Sequence, residues 1–498
     1  MKEISPDRLY YGLLAHGLFS EKLPPIFTSV NFFDYCQSIK HNFQERPSNY
    51  INFNSMRETN IPRQLGIPNP MAYQQLCKCL SDNWYKICDR FERYTSNQSH
   101  KVSRIHIRKL NKKGALFEMN YNKWIIDGSP EPDLIMGKKY MVKTDIASFF
   151  PSIYTHSIPW ALEGKSTAKL DRDRDKWYNK IDCYTQNLKN GETHGLIIGL
   201  HASNLLSEII LSVVDFNLHK NGWNYIRNID DYICYVNTYE EGQNFVIDLS
   251  QGLRAFNLEL NHKKTSIDEL PLATVAQWVR QINVIKNKTK DETMKFPDVR
   301  AYLDNVIEIM HDNNDKSSIL KYAIKVLSNQ KMTDNARTYC VKTLLHYAIL
   351  FPYLIPIVDE YVFKSHNVDF SLIDLFTNKI YQEGLRFRND EAVYFSLFFA
   401  IKYNINITSL NINDLLKTKN CIVFLLSFIY LKKNKKKDEC KIIKNYALKM
   451  SLSDIDFNQN WIFIYEILPK SNLSGEWKNM KDKHVTFINP NILLNEEK

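Results

Sequence analysis

Glycine is scarce in the second half of this 498-residue sequence. Thirteen of the 15 glycines fall at or before Gly252, and only Gly384 and Gly475 follow. Glycine is the residue that most readily adopts the positive φ of tight turns and bulges. The shortage therefore marks a change of structural class along the chain and favours helices after about residue 298.

Several motifs of other enzyme classes are also missing. The sequence has no Gly-x-x-x-x-Gly-Lys-Ser/Thr phosphate loop, no Gly-x-Ser-x-Gly elbow around Ser203, and no Arg-x-x-x-x-His motif after residue 300. The nine cysteines are scattered, and the group of Cys77, Cys79 and Cys88 lacks a fourth ligand at zinc-finger spacing. These absences argue against P-loop, hydrolase and zinc chemistry, and predict reduced thiols in the core.

Long apolar runs are absent as well. Cys421–Leu431 contains only 11 residues, and the stretch 344–358 is interrupted by Pro352 and Pro356, whereas a spanning helix needs about 20 apolar residues. The first ten residues lack the apolar segment of a signal peptide. We therefore expect two buried helices, no membrane partner and a cytoplasmic location.

Composition bounds the class without deciding the function. The chain is 44% hydrophobic and 24% charged, which is typical of a globular protein, and its length favours two domains. The formal charge of +10 suits a polyanionic partner, because lysine and arginine attract phosphates. This signal is mild, since many lysine-rich proteins are basic without binding nucleic acid.

Two short segments carry aspartates at the ends of predicted strands. Asp145 ends the segment Tyr140–Asp145, and Asp230 and Asp231 lie within the predicted hairpin 225–236. An adjacent pair of aspartates alone is more often an ordinary turn. Burial of carboxylates costs several kcal/mol unless they are paired or bind a metal. Mg²⁺, with Mn²⁺ as the alternative ion, is the expected partner of Asp145, Asp230 and Asp231.

Further signals stand around these carboxylates at consistent spacing. Phe150 follows Asp145 by five positions, and Gly195–Asn204 passes from a glycine turn into a helix pattern with Ser203 or Asn204 as the expected cap. Lys263 and Lys264 follow the hairpin at a predicted turn. The order is thus carboxylate, glycine turn and helix, paired carboxylates, then lysine.

In this order the sequence resembles the reverse transcriptase superfamily. Asp145–Phe150, Gly195–Asn204, Arg227–Asp231 and Lys263–Thr265 are similar to its successive palm motifs. The resemblance implies an α+β fold with right-hand fingers and palm over residues 1–297. A narrower resemblance, to the bacterial abortive-infection reverse transcriptases, is carried by three segments: Gly17–Thr28, Ile67–Pro70 and Gly199–Asn204.

The resemblance implies a DNA polymerase that uses dNTPs and acts in bacterial antiphage defence. Template-copying relatives carry an aromatic residue two positions before the paired aspartates and a glutamine before the second glycine, where this chain has Asn228 and Ile198. These departures fit the abortive-infection class, for which the resemblance implies synthesis that need not copy a template and that can start from the protein itself. The expected partners are dNTPs, an attached single-stranded DNA product, RNA as a further candidate, and other copies of the chain in a homo-oligomer.

Individual roles follow from the same resemblance. Asp145 and Asp230 would hold the metal ions with Asp231 beside them, and Lys264 would act as an acid toward pyrophosphate. The residues expected to contact the nucleotide are Arg104, Arg108, Lys143, Phe150 and Gly199. The alternative for Arg104 and Arg108 is a solvated edge strand, and the alternative for Phe150 is an ordinary place in the core.

Helix patterns follow one another in the second half. They are predicted over 333–350, from Ser371–Asp374 as a capping box to Gly384 as a C-cap, and over 389–403, 411–430 and 438–450. Starts near 333, 371 and 411 recur at about 40 residues, close to the period of HEAT-type helix pairs. We therefore expect an α-helical, HEAT-like array over residues 298–498, with a polymerase thumb as the alternative for its first hundred residues.

Two rival functions stay open. One is a templated RNA-directed DNA polymerase, and the other is a catalytically silent polymerase fold that binds RNA as a scaffold. The three carboxylates Asp145, Asp230 and Asp231 argue against silence, because a scaffold has no use for three groups that repel one another.

Overall fold

The computed structural model describes residues 4–39, 41–58, 61–103, 106–107, 117–118, 130–273, 276–288 and 293–493. Strands and helices are mixed up to residue 269, and only helices follow among the described residues. The elements of the mixed part are α1 Pro6–His16, α2 Val30–Ser38, β1 Ile51–Met56, β2 Pro62–Ile67, α3 Pro70–Asp82, α4 Trp84–Thr95, β3 His106–Ile107, β4 Phe117–Glu118, α5 Glu131–Ile135, β5 Tyr140–Asp145, α6 Phe149–Ser152, α7 Ser157–Glu163, α8 Lys165–Leu170, α9 Trp177–Asn187, α10 His201–Lys220, β6 Tyr225–Asn228, β7 Asp231–Val236, α11 Tyr239–Arg254, a 3₁₀ turn His262–Lys264, and β8 Ser266–Glu269.

The central sheet has four antiparallel strands in the order β6-β7-β5-β8. One of its faces is buried through Val142, Tyr232 and Cys234 and packs on α11. Gly242 in α11 permits this approach, because a Cβ built there would stand 3.1 Å from Val142 Cγ2. The predicted strand at 140–145 and the predicted hairpin at 225–236 are both present.

The second part of the chain is helical, as the loss of glycine indicates. Its elements are α12 Gln277–Lys288, α13 Phe296–Asp312, α14 Ser318–Leu327, α15 Asp334–Leu350, a 3₁₀ turn Pro352–Leu354, α16 Ile355–Val358 continued by a π-helical turn Asp359–Lys364, α17 Phe370–Arg386, α18 Asp390–Tyr403, α19 Ile412–Lys417, α20 Cys421–Lys433, α21 Lys437–Met450, α22 Asp454–Gln459, α23 Trp461–Ile467, a 3₁₀ turn Lys470–Asn472, α24 Gly475–Asp482 and α25 Pro490–Leu493.

Some predicted boundaries are wrong. Gly384 lies inside α17 and not at its end, and the helix begins at Phe370 after Asp369, not with a capping box at Ser371. Gly384 is required there for another reason, since its Cβ would come within 2.9 Å of Val393 Cγ2 on α18. The predicted helix 411–430 is divided into α19 and α20. The HEAT-like character of the array is not confirmed.

The helical part packs directly onto the mixed part. The buried carboxylate of Glu391 accepts hydrogen bonds from Ser55 Oγ (2.9 Å) and from the amide of Met56 (2.7 Å) on β1. The amide of Thr28 donates to the carbonyl of Phe487 (2.9 Å). The division at residues 297 and 298 stays a prediction, and α13, which begins at Phe296, runs across it.

All nine cysteines lie in described segments, none of them forms a disulfide, and most are buried, which confirms the expectation of reduced core thiols. In the described residues, no individual helix combines the length and apolar character that crossing a bilayer requires. One sharply bent pair, Asp334–Leu350 with Pro352–Lys364, meets those criteria by length and composition.

Candidate active site

The last residue of β5, Asp145, lies in the middle of the sheet. Its side chain is only 6% exposed, and it stands directly opposite Asp231 in the β5-β7 register. Residues facing each other in an antiparallel pair project from the same face of the sheet, about 5 Å apart at Cβ. The sheet therefore brings together two carboxylates that are far apart in the sequence.

The turn between β6 and β7 carries the third carboxylate, Asp230. Its carbonyl accepts a hydrogen bond from the amide of Ile146 (3.2 Å), which fixes the turn against the end of β5. Ile229, just before it, has φ +59°. A β-branched residue seldom adopts a positive φ, and such conformations occur where the surrounding structure enforces them.

A buried ion cluster enforces this conformation. Arg227 on β6 is fully buried, and its guanidinium binds Asp215 (2.6 Å) and Glu208 (3.1 Å), both on α10. Nη1 of the same group donates to the carbonyl of Ile229 (3.0 Å). Charge-assisted, multiply hydrogen-bonded arginine is among the most rigid contacts available in a protein interior. The cluster therefore holds the turn that presents Asp230.

Two of the carboxylates, Asp230 and Asp231, have a raised pKa. Burial and the neighbouring Asp145 raise the pKa of Asp230 to about 6. Burial and Asp145 also raise the pKa of Asp231, while Lys264 opposes that change. Clustered carboxylates of this kind in a partly buried place are typical of functional sites, because their mutual repulsion is relieved by a bound cation.

Lys264 supplies a cation to the cluster from the 3₁₀ turn after α11. Its Nζ lies 2.6 Å from Oδ2 of Asp145, and this hydrogen bond raises the pKa of Lys264. The amide of Asn261 also donates to the carbonyl of Asp145 (2.7 Å). The structure thus brings Lys264 to the carboxylates, as the motif order predicts, with its side chain 65% exposed.

The donor set fits Mg²⁺ in its chemistry. Asp145 and Asp230 provide hard oxygen ligands on adjoining strand ends, which is what Mg²⁺ prefers, and the raised pKa of Asp230 reflects charge that a dication would neutralise. Within the described parts of the chain, no three His, Cys, Asp or Glu side chains are arranged as a ready ligand cluster. The fit to Mg²⁺ therefore rests on Asp145 and Asp230. Asp231, which stands opposite Asp145, is the third carboxylate nearby.

Phe150, five residues after Asp145, is hydrogen bonded to the segment of the glycine turn. The carbonyl of Phe150 accepts a hydrogen bond from the amide of Leu196 (2.8 Å). Phe149 is buried at 3% exposure, whereas Phe150 is partly exposed and packs on it with ring centroids 5.3 Å apart. Phe149 is thus the core residue of the pair, and Phe150 is the one whose ring can meet a ligand.

The turn before α10 requires its glycines. Gly199 has φ +106°, and a Cβ there would lie 2.9 Å from Cβ of Ser20. The prediction that Ser203 or Asn204 caps the next helix is wrong: α10 begins at His201, and Ser203 Oγ donates instead to the carbonyl of Ile197 (2.6 Å). The hydroxyl therefore fastens the turn to the helix.

The remaining predicted nucleotide contacts are Lys143, Arg104 and Arg108. Lys143 is exposed on β5, on the same face of the sheet as Asp145 two residues later. Arg104 and Arg108 lie outside the described residues. Sequence reasoning missed Arg63 on β2, whose positive charge interacts with Asp230, and Asn261. Neither belongs to a recognisable local motif, so only the tertiary fold reveals them.

A comparison with protein families agrees with this geometry. Residues 104–299 match the family model described as reverse transcriptase (RNA-dependent DNA polymerase). The chain therefore carries a reverse-transcriptase domain, which is a domain of nucleotidyltransferases. A helical part follows this domain. A comparison with curated proteins gives no match.

Solved structures similar to the chain include two fungal telomerases. One is apo telomerase of Candida tropicalis truncated from its C-terminal domain, at 13% identity and TM-score 0.29, covering 49% of this chain and 54% of that one. The other is telomerase of Candida albicans with a fragment of telomeric RNA, at 12% identity and TM-score 0.29, covering 71% of this chain and 65% of that one. The match thus spans between half and two thirds of those telomerase chains.

Proposed function

We propose that the protein is a DNA polymerase that joins dNTPs at the carboxylate edge of the central sheet, without copying a template. The observation that carries the proposal is the meeting of Asp145, Asp230 and Asp231 at one strand end, beside Lys264. Carboxylates that are held together in spite of their mutual repulsion are typical of a functional site that uses their charge.

Each side chain has a defined part in this chemistry. Asp145 and Asp230 would hold Mg²⁺, which when bound activates a 3′ hydroxyl and stabilises the leaving pyrophosphate. Lys264 is an exposed cation bound to the carboxylates, placed to donate a proton or charge to the leaving group. Phe150 would exclude a 2′ hydroxyl.

Two residues support synthesis without a template. The side chain of Ile198 cannot donate the hydrogen bond that glutamine offers to a template base. Its backbone carbonyl accepts a hydrogen bond from the amide of Gly66 on β2 (3.3 Å), which ties the turn to the first hairpin. Asn228 pairs with Asp231 at the base of the turn and offers no aromatic face.

We further propose that the protein acts in bacterial antiphage defence and begins its product on one of its own tyrosines. The support is the resemblance carried by Gly17–Thr28, Ile67–Pro70 and Gly199–Asn204. Two of these segments meet in the fold, since the amide of His201 donates a hydrogen bond to the carbonyl of Gly17 (3.2 Å).

The alternative is a templated RNA-directed DNA polymerase. It is favoured by the family model itself, whose description names RNA-dependent synthesis. A defined RNA offered with primer separates the two: faithful complementary products would replace our proposal by this alternative.

The deciding experiment combines purified protein with labelled dNTPs and Mg²⁺ and omits template and primer. We expect labelled DNA to form and to stay attached to protein after denaturation. Asp230→Asn should abolish incorporation with the fold intact, whereas Asp175→Asn, an exposed carboxylate on a loop, should leave it unchanged. Incorporation that persists in a folded Asp230→Asn protein would exclude the carboxylate site, and free DNA with no linked peptide would exclude a tyrosine start.

A further inference from the structure

A cavity of about 500 Å³ lies between α7, α8 and α9, apart from the carboxylates. A short backbone ladder connects the two places: the amide of Leu196 donates to the carbonyl of Phe150, and the amide of Thr155 donates to that of Thr193, each over 2.8 Å. Tyr154, which lines the cavity, follows Phe150 by four residues. The chain between them can span at most about 14 Å.

The rim of the cavity is cationic. Lys169, Arg172 and Arg174 all line it. The intervening acids are engaged elsewhere, since Asp171 accepts a hydrogen bond from the Tyr178 hydroxyl (2.8 Å) and Asp173 accepts one from the amide of Asp175 (2.9 Å). Acid and base alternate through this loop, but Asp171 and Asp173 are not among the residues that line the cavity. The arginines thus offer planar donor groups suited to phosphate.

The wall contains a fixed histidine. Nδ1 of His156 is hydrogen bonded to Asp182, a carboxylate that is only 6% exposed and also accepts from Nε2 of Gln186 (2.7 Å). Because Nδ1 is held by the carboxylate, the ring is fixed and its Nε2 is left for another partner. A histidine anchored in this way is a further donor or acceptor for a polar ligand in the cavity.

The aromatic residues Tyr154 and Trp160 also line the cavity. The ring of Tyr154 lies 5.7 Å from that of Trp160 and 5.2 Å from that of His194. The Nζ of Lys165 lies 4.2 Å from the Trp160 ring centroid. Aromatic rings and cations in one lining are the combination by which proteins bind single-stranded nucleic acid, with bases on the rings and phosphates on the cations.

We propose that this cavity binds one nucleotide unit, with its base against Tyr154 and Trp160 and its phosphate on Arg172 and Arg174. The unit is either a free nucleotide or part of a single strand that extends from the carboxylate edge. This site lies beyond the proposed polymerase function, because a ligand can bind here whether or not the carboxylates join nucleotides.

Binding is measured directly in the Asp230→Asn background with EDTA, so that neither turnover nor bound metal contributes. The probes are a fluorescently labelled ten-residue oligothymidylate and thymidine 5′-monophosphate as competitor. The double variant Arg172→Gln/Arg174→Gln is compared with Arg386→Gln/Arg388→Gln. The control pair has the same spacing and exposure on the helical part and causes the same change of net charge.

We expect the cavity variant, and not the control, to weaken binding. The slope of log Kd against log salt should fall by about 0.7 for each phosphate that the variant no longer neutralises, and Trp160→Leu should weaken binding about fivefold or more. Competition by the monophosphate identifies a free nucleotide as a ligand, and its failure beside tight oligothymidylate binding identifies a strand.

A 5-iododeoxyuridine oligonucleotide gives an independent map, since photo-crosslinking should label Tyr154 or Trp160. Equal affinity and salt slope for the two double variants, or crosslinks only to peptides outside 154–186, would overturn the proposal. Incorporation by the wild-type and Asp230→Asn proteins tests the polymerase proposal, whereas oligothymidylate binding tests the cavity. The two proposals can therefore fail separately.

Discussion

Arg227 Nη1 donates a hydrogen bond to the carbonyl oxygen of Ile229 over 3.0 Å, immediately before Asp230. The same guanidinium is held by Asp215 and Glu208, so the turn that carries the carboxylate is anchored to the long helix α10. Arg227 is a positioning residue: it touches no reacting atom, but it fixes the place of one.

Replacement of Arg227 tests this anchoring. Arg227→Lys cannot keep both carboxylates paired, and we expect the free energy of unfolding to fall by about 3 to 5 kcal/mol, the cost of an uncompensated buried charge. At a temperature where the variant stays folded, the rate of incorporation should fall while the KM for dNTP changes little. Arg90→Lys is the control, since the Arg90–Glu163 pair is partly exposed and should cost about 1 kcal/mol or less. A normal rate in folded Arg227→Lys would contradict the positioning role.

The pKa of Asp230 predicts the pH dependence of activity. Because this pKa is about 6, the carboxylate becomes protonated as the pH falls through that value, and incorporation should decline there. Protons and Mg²⁺ compete for the same oxygen atoms, so more Mg²⁺ should shift the midpoint to lower pH. The profile is best measured in Glu391→Gln, which removes a second group whose pKa is about 7. If the midpoint of the pH profile does not change with the Mg²⁺ concentration, Asp230 does not bind the metal ion.

The stability of the metal-free protein should follow the opposite direction. The pKa of Asp230 is raised on folding from 3.8 to about 6, so the stabilisation is greatest below the lower value and is lost as the pH rises through the upper one. Asp230→Asn should therefore increase the free energy of unfolding at neutral pH by about 1 to 3 kcal/mol, since each pKa unit corresponds to about 1.36 kcal/mol. Denaturant titrations at mildly acidic and neutral pH measure this, and a destabilised Asn variant would show that the carboxylate is not repelled.

Sugar selection is predicted to depend on Phe150. Phe150→Ala should admit rNTPs and reduce discrimination against them by about 1 to 3 kcal/mol, the usual scale for a few carbon atoms in a pocket. Phe149→Ala is the matched control, because Phe149 is the buried ring of the pair. It should destabilise the protein by about 3 to 5 kcal/mol and lower both activities together. Competition between dNTP and rNTP separates these outcomes, and an unchanged preference in folded Phe150→Ala would remove Phe150 from the site.

The glycine turn permits a clean comparison of strain with contact. Gly199 and Gly222 both have positive φ, but an added Cβ would meet Ser20 at 2.9 Å in the first case and nothing within 4 Å in the second. Gly222→Ala should cost about 1 to 2 kcal/mol from backbone strain alone, and Gly199→Ala should cost more. Equal loss of stability in thermal unfolding would mean that the turn does not lie against Ser20.

The parts of the site that could be predicted from the sequence are those with a local sequence pattern. Asp145, the paired aspartates and the lysines each stand in segments whose residue types indicate a strand or turn, and the sheet register then brings them together. The partners that control them were not predictable. Asp215 and Glu208 look like ordinary polar positions on a helix until Arg227 is seen between them.

The errors in the helical part have a similar cause. Gly384 has the sequence signature of a C-cap, yet tertiary packing places it within α17, where Val393 leaves no room for a side chain. Local preference was outweighed by the contact between two helices. Arg63 and Asn261 escaped notice because a single charged or amide residue on a hairpin or loop carries no signal of what it will face.

The hydrogen bond from Thr28 to Phe487, with that from the amide of Asn489 to the carbonyl of Ile26 (2.7 Å), constrains the order of biosynthesis. Residues 26–28 leave the ribosome about 460 residues before their partners Phe487 and Asn489. At about 5 to 20 residues per second, translation needs roughly half a minute or longer to supply them. The apolar surface that Phe487 covers, including Phe32, thus stays without its native cover during that interval. The nascent chain therefore exposes apolar surface that chaperones can bind until Phe487 has been synthesised.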